Sequence, residues 1–211
     1  MTEDIAAFIG AVTRDVRNLD YEGKPAKMVV AARTYETSID DLWDAITNPE
    51  RLPRWFAPVT GDFKLGGRYH VQGNASGAIT RCEPPRALSL TWEFGGAVSW
   101  VNVRLSERNA ERTYLELQHI AHPDEHWEQF GPGAAGVGWE AGLMGLSWHL
   151  SDPSKQRTPE ADVAWWSTPE AKRFVTLSSE HWGEAAIAAG EAHAHARAAA
   201  ERTRRFYSGE A

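Results

Sequence analysis

The sequence has very little cysteine, no long apolar run and no excess of positive charge. Cys82 is the only cysteine, which excludes an internal disulfide and favours a reducing compartment. The acidic start, MTEDIAAF, differs from the basic start of a secretory signal, and no apolar stretch is long enough to span a bilayer. These absences predict a soluble, cytoplasmic protein.

Positive charge is in deficit, because 22 Lys and Arg face 29 Asp and Glu, for a formal net charge of −7. Nucleic acids and anionic membranes are bound through clustered positive charge, so we expect neither as a partner. Tryptophan, by contrast, is abundant, with 10 residues among 211. Each indole carries a large apolar area, so several must line a core, a cavity or an interface.

Three parts are predicted along the chain. Residues 1–25 carry apolar side chains at helical spacing, followed by turn residues, which predicts an N-terminal helix over 2–19 and a linker. Residues 26–150 contain the strand and helix patterns of a main domain. Residues 151–211 contain two Thr-Pro-Glu helix starts and predict a helical extension, in which the second start opens one long alanine-rich helix.

Within the main domain, the periodicity changes from helical to alternating. A strand over 26–36 and a helix over 39–46, N-capped by Ser38, come first. From residue 61 to 122 the period is two, and ALSLTWEF (87–94) alternates apolar with polar side chains. This pattern predicts an antiparallel sheet of about six strands that is apolar on one face only.

A one-sided sheet needs a cover, and residues 136–150 can supply it. Trp139, Leu143, Leu146 and Leu150 follow each other there at helical spacing. The sequence therefore predicts an α+β fold in which a long helix covers the sheet.

The C-terminal extension carries apolar area of its own that must be buried. Its large aromatic residues are Trp165, Trp166, Phe174 and Trp182. A free surface helix would not expose so much apolar area. Three interpretations are open: packing on the same domain, a lid over a cavity, or a homodimer through the C-terminal helices.

Five segments of the main domain form an ordered pattern. They are ARTYETSIDDLWDAITNPERLPRWF (32–56), FKLGGRYHV (63–71), CEPPRALSLTW (82–92), SWVNVRLSE with RTYLELQHI (99–120) and GWEAGLMGLSWHL (138–150). The set resembles the activator-of-heat-shock-protein-90-ATPase homologue family, within the START-related (SRPBCC) helix-grip superfamily. The resemblance implies a curved antiparallel sheet that wraps around a long helix and encloses an apolar cavity.

The implied cavity directs attention to the aromatic side chains. Ligand sites are typically apolar with a few convergent polar groups. The predicted ligand-binding residues are Trp43, Trp55, Phe56, Tyr69, Trp92, Phe94, His119, Trp139 and Leu143. The alternative is that these rings simply fill the core. Trp100 is predicted to lie on the opposite face, because its parity differs from that of Val101.

Histidine is the one candidate for chemistry. His119 shares the predicted inward face of its strand with Leu117, and it would act as a general acid or base only if the protein is an enzyme. The alternative is a structural histidine. His119, His122 and His126 have zinc-ligand residue types, but a strand end and a proline separate them. We therefore predict no metal site, no cofactor and no other catalytic residue.

Three functions stay open from sequence. The first hypothesis is a START-like protein that binds a small apolar or amphipathic molecule in the cavity. The second is a polyketide-cyclase or hydrolase-like enzyme that uses the same cavity, and the third is a chaperone-associated interaction module. The second and third rest on analogy with related folds rather than on particular residues.

Overall fold

The computed structural model describes residues 4–154 and 158–210. The helices in these ranges are α1 (Ile5–Ala11), α2 (Ile39–Thr47), α3 (Glu125–Phe130), α4 (Gly133–Ser151), α5 (Pro159–Trp166), α6 (Pro169–Ala188) and α7 (His193–Ser208), with a 3₁₀ helix at Leu52–Arg54. Among these described helices, none combines the length and the apolar character that crossing a lipid bilayer requires.

Within the residues that the structure describes, eight strands form one sheet. They are β1 (Thr13–Tyr21), β2 (Lys24–Tyr35), β3 (Val59–Gly61), β4 (Arg68–Val71), β5 (Ser76–Glu83), β6 (Ala87–Phe94), β7 (Ala97–Asn109) and β8 (Arg112–Ala121). The strand order is β1-β2-β8-β7-β6-β5-β4-β3. All pairings between consecutive strands from β3 to β8 are antiparallel, so short hairpin connections suffice along this part of the chain.

The chain folds into two compact units. The terminal unit comprises Met1–Ala31, His122–Met144 and Thr158–Ala211, and the central unit comprises Ala32–Ala121 and Gly145–Arg157. Both chain ends therefore belong with a segment from the middle of the sequence. These limits differ from the predicted ranges 1–25, 26–150 and 151–211, which follow the chain and not the packing.

The helix starts follow local sequence rules. The Ser38 hydroxyl accepts a hydrogen bond from the Asp41 backbone N–H at α2 (3.3 Å). Thr158 and Thr168 do the same at the starts of α5 and α6, each at 3.2 Å. Such caps satisfy backbone donors that have no partner inside the helix. The predicted cap at Ser38 and the two predicted Thr-Pro-Glu helix starts are thus confirmed.

The predicted N-terminal helix over 2–19 is wrong beyond Ala11. Residues 13–21 form β1 instead, and the predicted linker is a two-residue turn into β2. Glu22 and Gly23 both have positive φ, 50° and 76°, as a tight hairpin turn requires. This hairpin adds to the sheet, which has eight strands where about six were predicted.

The predicted single alanine-rich helix is also wrong. Residues 169–208 form two helices, α6 and α7, with the break at residues 189–192. Gly190 lies in this break with φ +98°, a conformation that side-chain-bearing residues rarely adopt. Ala200 of α7 then packs against Gly183 of α6, where a Cβ would lie 3.0 Å from the Ala200 methyl.

The core of the terminal unit is aromatic. Phe174 is fully buried and lies between Phe8 and Trp165, with ring centroids 6.4 and 6.1 Å apart. Trp182 is also fully buried and packs against Gly136, where any side chain would overlap the indole. These residues of the C-terminal extension therefore find their burial within the chain. The homodimer through the C-terminal helices stays a prediction.

Candidate functional site

The strand register of the central unit brings a set of predicted residues to one face of the sheet. Ser99 pairs with Trp92, and Val101 pairs with both Leu90 and His119. Because side chains alternate along a strand, these residues share a face. Trp100 pairs with Thr91 and Ile120 instead, which confirms that it lies on the opposite face.

Tyr69 lies on the same face, opposite a residue of β5 that has no side chain. Tyr69 pairs with Gly77, and a Cβ at position 77 would lie 1.9 Å from the Thr91 carbonyl oxygen and 2.9 Å from Cε1 of the Tyr69 ring. The ring lies 6.5 Å from that of Trp92, and the hydroxyl donates to the Thr91 carbonyl at 2.7 Å. Burial raises the pKa of Tyr69 above its ordinary value, so the phenol stays neutral.

A hydrogen-bonded His–Ser pair lies beside these rings. His119 Nε2 is 2.8 Å from Ser99 Oγ, and the Ser99 hydroxyl donates to the Trp92 carbonyl at 3.2 Å. This arrangement leaves Nε2 of His119 as the donor to Ser99. Burial lowers the pKa of His119 to about 4, so the imidazole is neutral at physiological pH.

The surroundings of the pair are apolar but incompletely covered. Tyr69, Val71 and Ile79 are buried, and partly buried side chains of the same cluster pack against them, namely Phe56, Ala57, Val59, Cys82, Leu88, Leu90 and Trp92. Ser99 and His119 also keep partial solvent access. The face therefore combines aromatic and aliphatic surface with two neutral polar groups that solvent can reach.

The remaining predicted ligand-binding residues have other surroundings. Trp55 is buried, and its Nε1 donates to the Ala45 carbonyl at 2.9 Å. Trp43 is half-buried on α2. Phe94 is 60% exposed at the end of the β6–β7 hairpin. Trp139 and Leu143 lie on α4 in the terminal unit, and their part in ligand binding stays a prediction.

Ser99 and Gly77 are members of the site that the sequence analysis did not name. Ser99 precedes Val101 by two positions, so its inward direction follows from strand parity. Its proximity to His119 depends on the pairing of β7 with β8, which a single strand pattern does not specify. Gly77 gave no signal, because its role is to leave room for the Thr91 carbonyl and the Tyr69 ring, which belong to two other strands.

The three histidines near residue 120 do not assemble a metal site. His122 Nδ1 lies 2.9 Å from the Pro25 carbonyl oxygen, and the His126 ring packs on Phe130 with centroids 4.7 Å apart. Over residues 4–154 and 158–210, no three metal-ligating side chains lie close enough together to hold an ion.

A second polar cluster of the central unit joins α2 to the end of α4. Arg51 donates to Asp41 (2.8 Å), Asp44 (2.9 Å) and His149 Nε2 (3.2 Å). Burial acts to raise the pKa of Asp41, but hydrogen bonds from Thr37 and Arg51 lower it overall. His149 is buried, and burial lowers its pKa. The cluster holds two helices together within the unit.

The terminal unit contains a buried ion pair of a different kind. Arg14 of β1 donates through Nε and Nη2 to the carboxylate of Glu140 on α4, at 2.5 and 2.9 Å. Glu140 is fully buried. Burial raises the pKa of Glu140, against the opposing effect of the Arg14 guanidinium. Further donors from Arg14 reach the carbonyls of Ile9 and Val12, so this pair ties three elements of the unit together.

Comparison with known proteins identifies the family. Residues 36–151 match the family described as "Activator of Hsp90 ATPase homolog 1-like protein", which is just over half of the 211 residues. The chain belongs to this family. The Hsp90-activator homologues share the α+β helix-grip fold of the SRPBCC-like superfamily, as predicted. No curated protein matches the sequence.

Solved structures extend the similarity beyond the matched range. CalU16 from Micromonospora echinospora is 32% identical in its crystal structure, over 86% of this chain and 99% of that chain, with a TM-score of 0.67. Its solution structure gives 30% identity over 85% and 97%, with a TM-score of 0.65. MLL2253 from Mesorhizobium loti, at 21% identity over 59% and 96% with a TM-score of 0.53, shows the fold alone. The similarity to CalU16 therefore includes segments that flank the family's core range.

Proposed function

We propose that this protein binds a small apolar or amphipathic molecule on the apolar sheet face of the central unit. The observation that carries the proposal is the incomplete burial of this face around a neutral polar pair. Leu90, Trp92 and His119 point to a side of the sheet that a purely structural core would cover, yet each keeps solvent access. Partly accessible apolar surface of this kind favours a ligand.

The polar groups limit which ligand fits. His119 and Ser99 are neutral and lie beside rings, so they can exchange hydrogen bonds with a hydroxyl or a carbonyl group. A charged group would lose its hydration there without gaining an ion pair from these two residues. The expected ligand therefore has a flat apolar body and one neutral polar substituent.

Nile red binding tests the apolar part of this proposal. We expect fluorescence enhancement with the native protein, and about tenfold weaker binding after Trp92→Ala, since one buried aromatic contact is worth about 1.4 kcal/mol. Trp100→Ala is the matched control, because it removes the same side chain from the opposite face of the neighbouring strand. Equal losses in both variants, or no binding by the native protein, would overturn the proposal.

A pair of naphthalenes tests the polar part. 2-Naphthol and 2-methylnaphthalene have nearly the same size, but only the first can exchange hydrogen bonds with His119 or Ser99. We expect the native protein to prefer 2-naphthol by about tenfold, as one net hydrogen bond permits. Ser99→Ala should reduce this preference. A native protein without the preference would show that the pair has no part in binding.

The Ser99–His119 contact also supports a second candidate, the cyclase or hydrolase-like enzyme. A serine hydroxyl within hydrogen-bond distance of an imidazole is the minimum arrangement for nucleophilic catalysis. To act as a base, however, His119 needs an unprotonated Nε2, with the Ser99 hydroxyl turned away from the Trp92 carbonyl. A pKa of about 4 also makes His119 a weak base. Hydrolysis of 4-nitrophenyl acetate that survives His119→Ala would eliminate this candidate.

A further inference from the structure

The terminal unit contains a cavity that the proposed function does not use. Its volume is about 220 Å³, and its wall combines residues of β1, β2, α3, α6 and α7. Small apolar side chains, including Val16, Ala189 and Ala199, form much of the lining. The polar members of the wall include Lys27, Glu191 and His195. The wall therefore offers polar and apolar surface in similar amounts, so it can contact both parts of a ligand that carries a charged group and a ring.

Lys27 is a positively charged side chain on the wall of this cavity. Its Nζ lies 5.7 Å from the centroid of the Trp127 indole, another wall residue, and the side chain is half-buried. Within residues 4–154 and 158–210, it forms no salt bridge with any carboxylate. An aromatic face attracts an ammonium group but does not neutralise it. A half-buried ammonium at a cavity wall therefore favours an anion in that cavity.

Trp127 is held in place by the ends of its own short helix. The Asp124 side chain accepts from the Trp127 backbone N–H at 2.9 Å, and the Trp127 carbonyl accepts from Gly131 N–H at 2.7 Å. These bonds hold the Trp127 backbone, and its indole is a wall of the cavity against which a ring can stack.

Glu191 sets an upper limit on the negative charge of the ligand. Its carboxylate lies 3.8 Å from His195 Nδ1, and both residues belong to the wall. A second negative group in so small a space would meet the Glu191 carboxylate. The cavity therefore accommodates a ligand with a single negative charge, which lies opposite Lys27.

We infer that this cavity binds a small monocarboxylic acid with one ring, whose carboxylate faces Lys27 and whose ring packs on Trp127. Size agrees, because an apolar cavity of about 150 Å³ holds benzene and this one is larger. The site lies wholly in the terminal unit and is independent of the sheet-face proposal.

Benzoate and benzamide test this inference on the native full-length protein. The two molecules have the same ring and nearly the same size, but only benzoate is charged. In ¹H–¹⁵N NMR titrations, we expect benzoate to shift the resonances of Lys27, Trp127 and Ala189, with affinity about tenfold above that of benzamide. Phthalate, a diacid, should bind more weakly than benzoate because of Glu191.

Substitutions test which residues bind the carboxylate and the ring of benzoate. Lys27→Met should lower benzoate affinity about tenfold while leaving benzamide binding unchanged. Lys24→Met is the matched control, since Lys24 is exposed on the same strand and does not line the cavity. Ala189→Phe should fill the space and abolish binding. Trp92→Ala, in the other unit, should leave benzoate binding intact, so this inference and the proposed function can fail separately.

Three outcomes would overturn the inference. They are absence of benzoate binding at millimolar concentration, equal affinity for benzoate and benzamide, and shifts confined to residues outside the cavity. All three are measured on the native protein, so they hold even if a substitution at Lys27 prevents folding.

Discussion

The two compact units of this protein differ in how they hold their buried polar groups. In the terminal unit, Arg14 and Glu140 form an ion pair in which the carboxylate is fully enclosed. In the central unit, His119 and Ser99 form a neutral pair that keeps access to solvent beside aromatic rings. The difference indicates two roles: the charged pair fixes elements to one another, whereas the neutral pair is available to a ligand.

The largest expected effect comes from breaking the charged pair. Glu140→Gln leaves the Arg14 guanidinium buried without its counter-ion and should lower the free energy of unfolding by about 3–5 kcal/mol. Urea denaturation measures this change. Glu128→Gln on the exposed side of α3 is the control and should have little effect. The double variant Arg14→Met/Glu140→Leu should be more stable than Glu140→Gln, and the opposite order would contradict a purely structural role.

Two glycines offer a matched test of packing in the two units. Gly136→Ala places a methyl group in the Trp182 indole and should destabilise by about 1–3 kcal/mol, with Nile red binding unchanged. Gly77→Ala places a methyl group against the Thr91 carbonyl of β6 and against the Tyr69 ring, so it should disturb the strand pairing, displace the ring, and weaken both stability and Nile red binding.

Gly10→Ala is the control for these two changes. Nothing lies within 4 Å of a Cβ added at Gly10. Because alanine favours a helix more than glycine does, the free energy of unfolding should rise by about 0.5–1 kcal/mol. If Gly77→Ala leaves binding intact, Tyr69 has no part in the site.

The His119 side chain should make the free energy of unfolding depend on pH. Its folded-state pKa of about 4 lies below the ordinary value of 6.5, so the unfolded chain binds more protons between these values. The stabilisation is therefore complete above pH 6.5 and is lost as the pH falls towards 4. For a ring with partial solvent access, we expect a loss of about 1–2 kcal/mol.

Urea denaturation at several pH values, with the native protein and with His119→Gln, isolates this contribution. If the free energy of unfolding of His119→Gln changes with pH as steeply as that of the native protein, another group causes the pH dependence.

The smallest expected effects concern helix caps, where the two units should behave alike. Ser38→Ala in the central unit and Thr168→Ala in the terminal unit each remove one hydrogen bond to a first-turn N–H. Each should lower the free energy of unfolding by about 0.5–1 kcal/mol. A much larger loss in one unit would mean that its cap residue also supports packing. Thr176→Ala, at a partly buried position within α6, measures the effect of removing a threonine side chain that is not a cap.

Much of the fold was predictable because its signals are local. The strand over 87–94, the cap at Ser38 and the Thr-Pro-Glu starts depend only on neighbouring residues, and all three appear in the structure. The alternation also specified which side chains of one strand share a face. Trp92 and His119 were therefore assignable to inward faces before any strand pairing was known.

The N-terminal prediction failed because two periodicities coincide there. Val12 and Val16 are four apart, which suits one face of a helix and also one face of a strand. The structure places both in the extended segment after α1, and both are buried. Pairing with β2 through the Glu22-Gly23 turn favours the strand, and that pairing satisfies backbone groups that a short isolated helix would not.

The candidate site also has a part that single strands predict and a part that only their packing creates. Trp92, Tyr69 and His119 were predicted from residue type and strand parity, because both can be read from a single strand. The contact of His119 with Ser99, the space above Gly77 and the enclosed Arg14–Glu140 pair join residues from 8 to 126 positions apart in the chain. Local pattern carries no information about such distances, because they depend on strand order and packing. The cavity beside Lys27 arises in the same way, from five elements that meet only once the chain has folded.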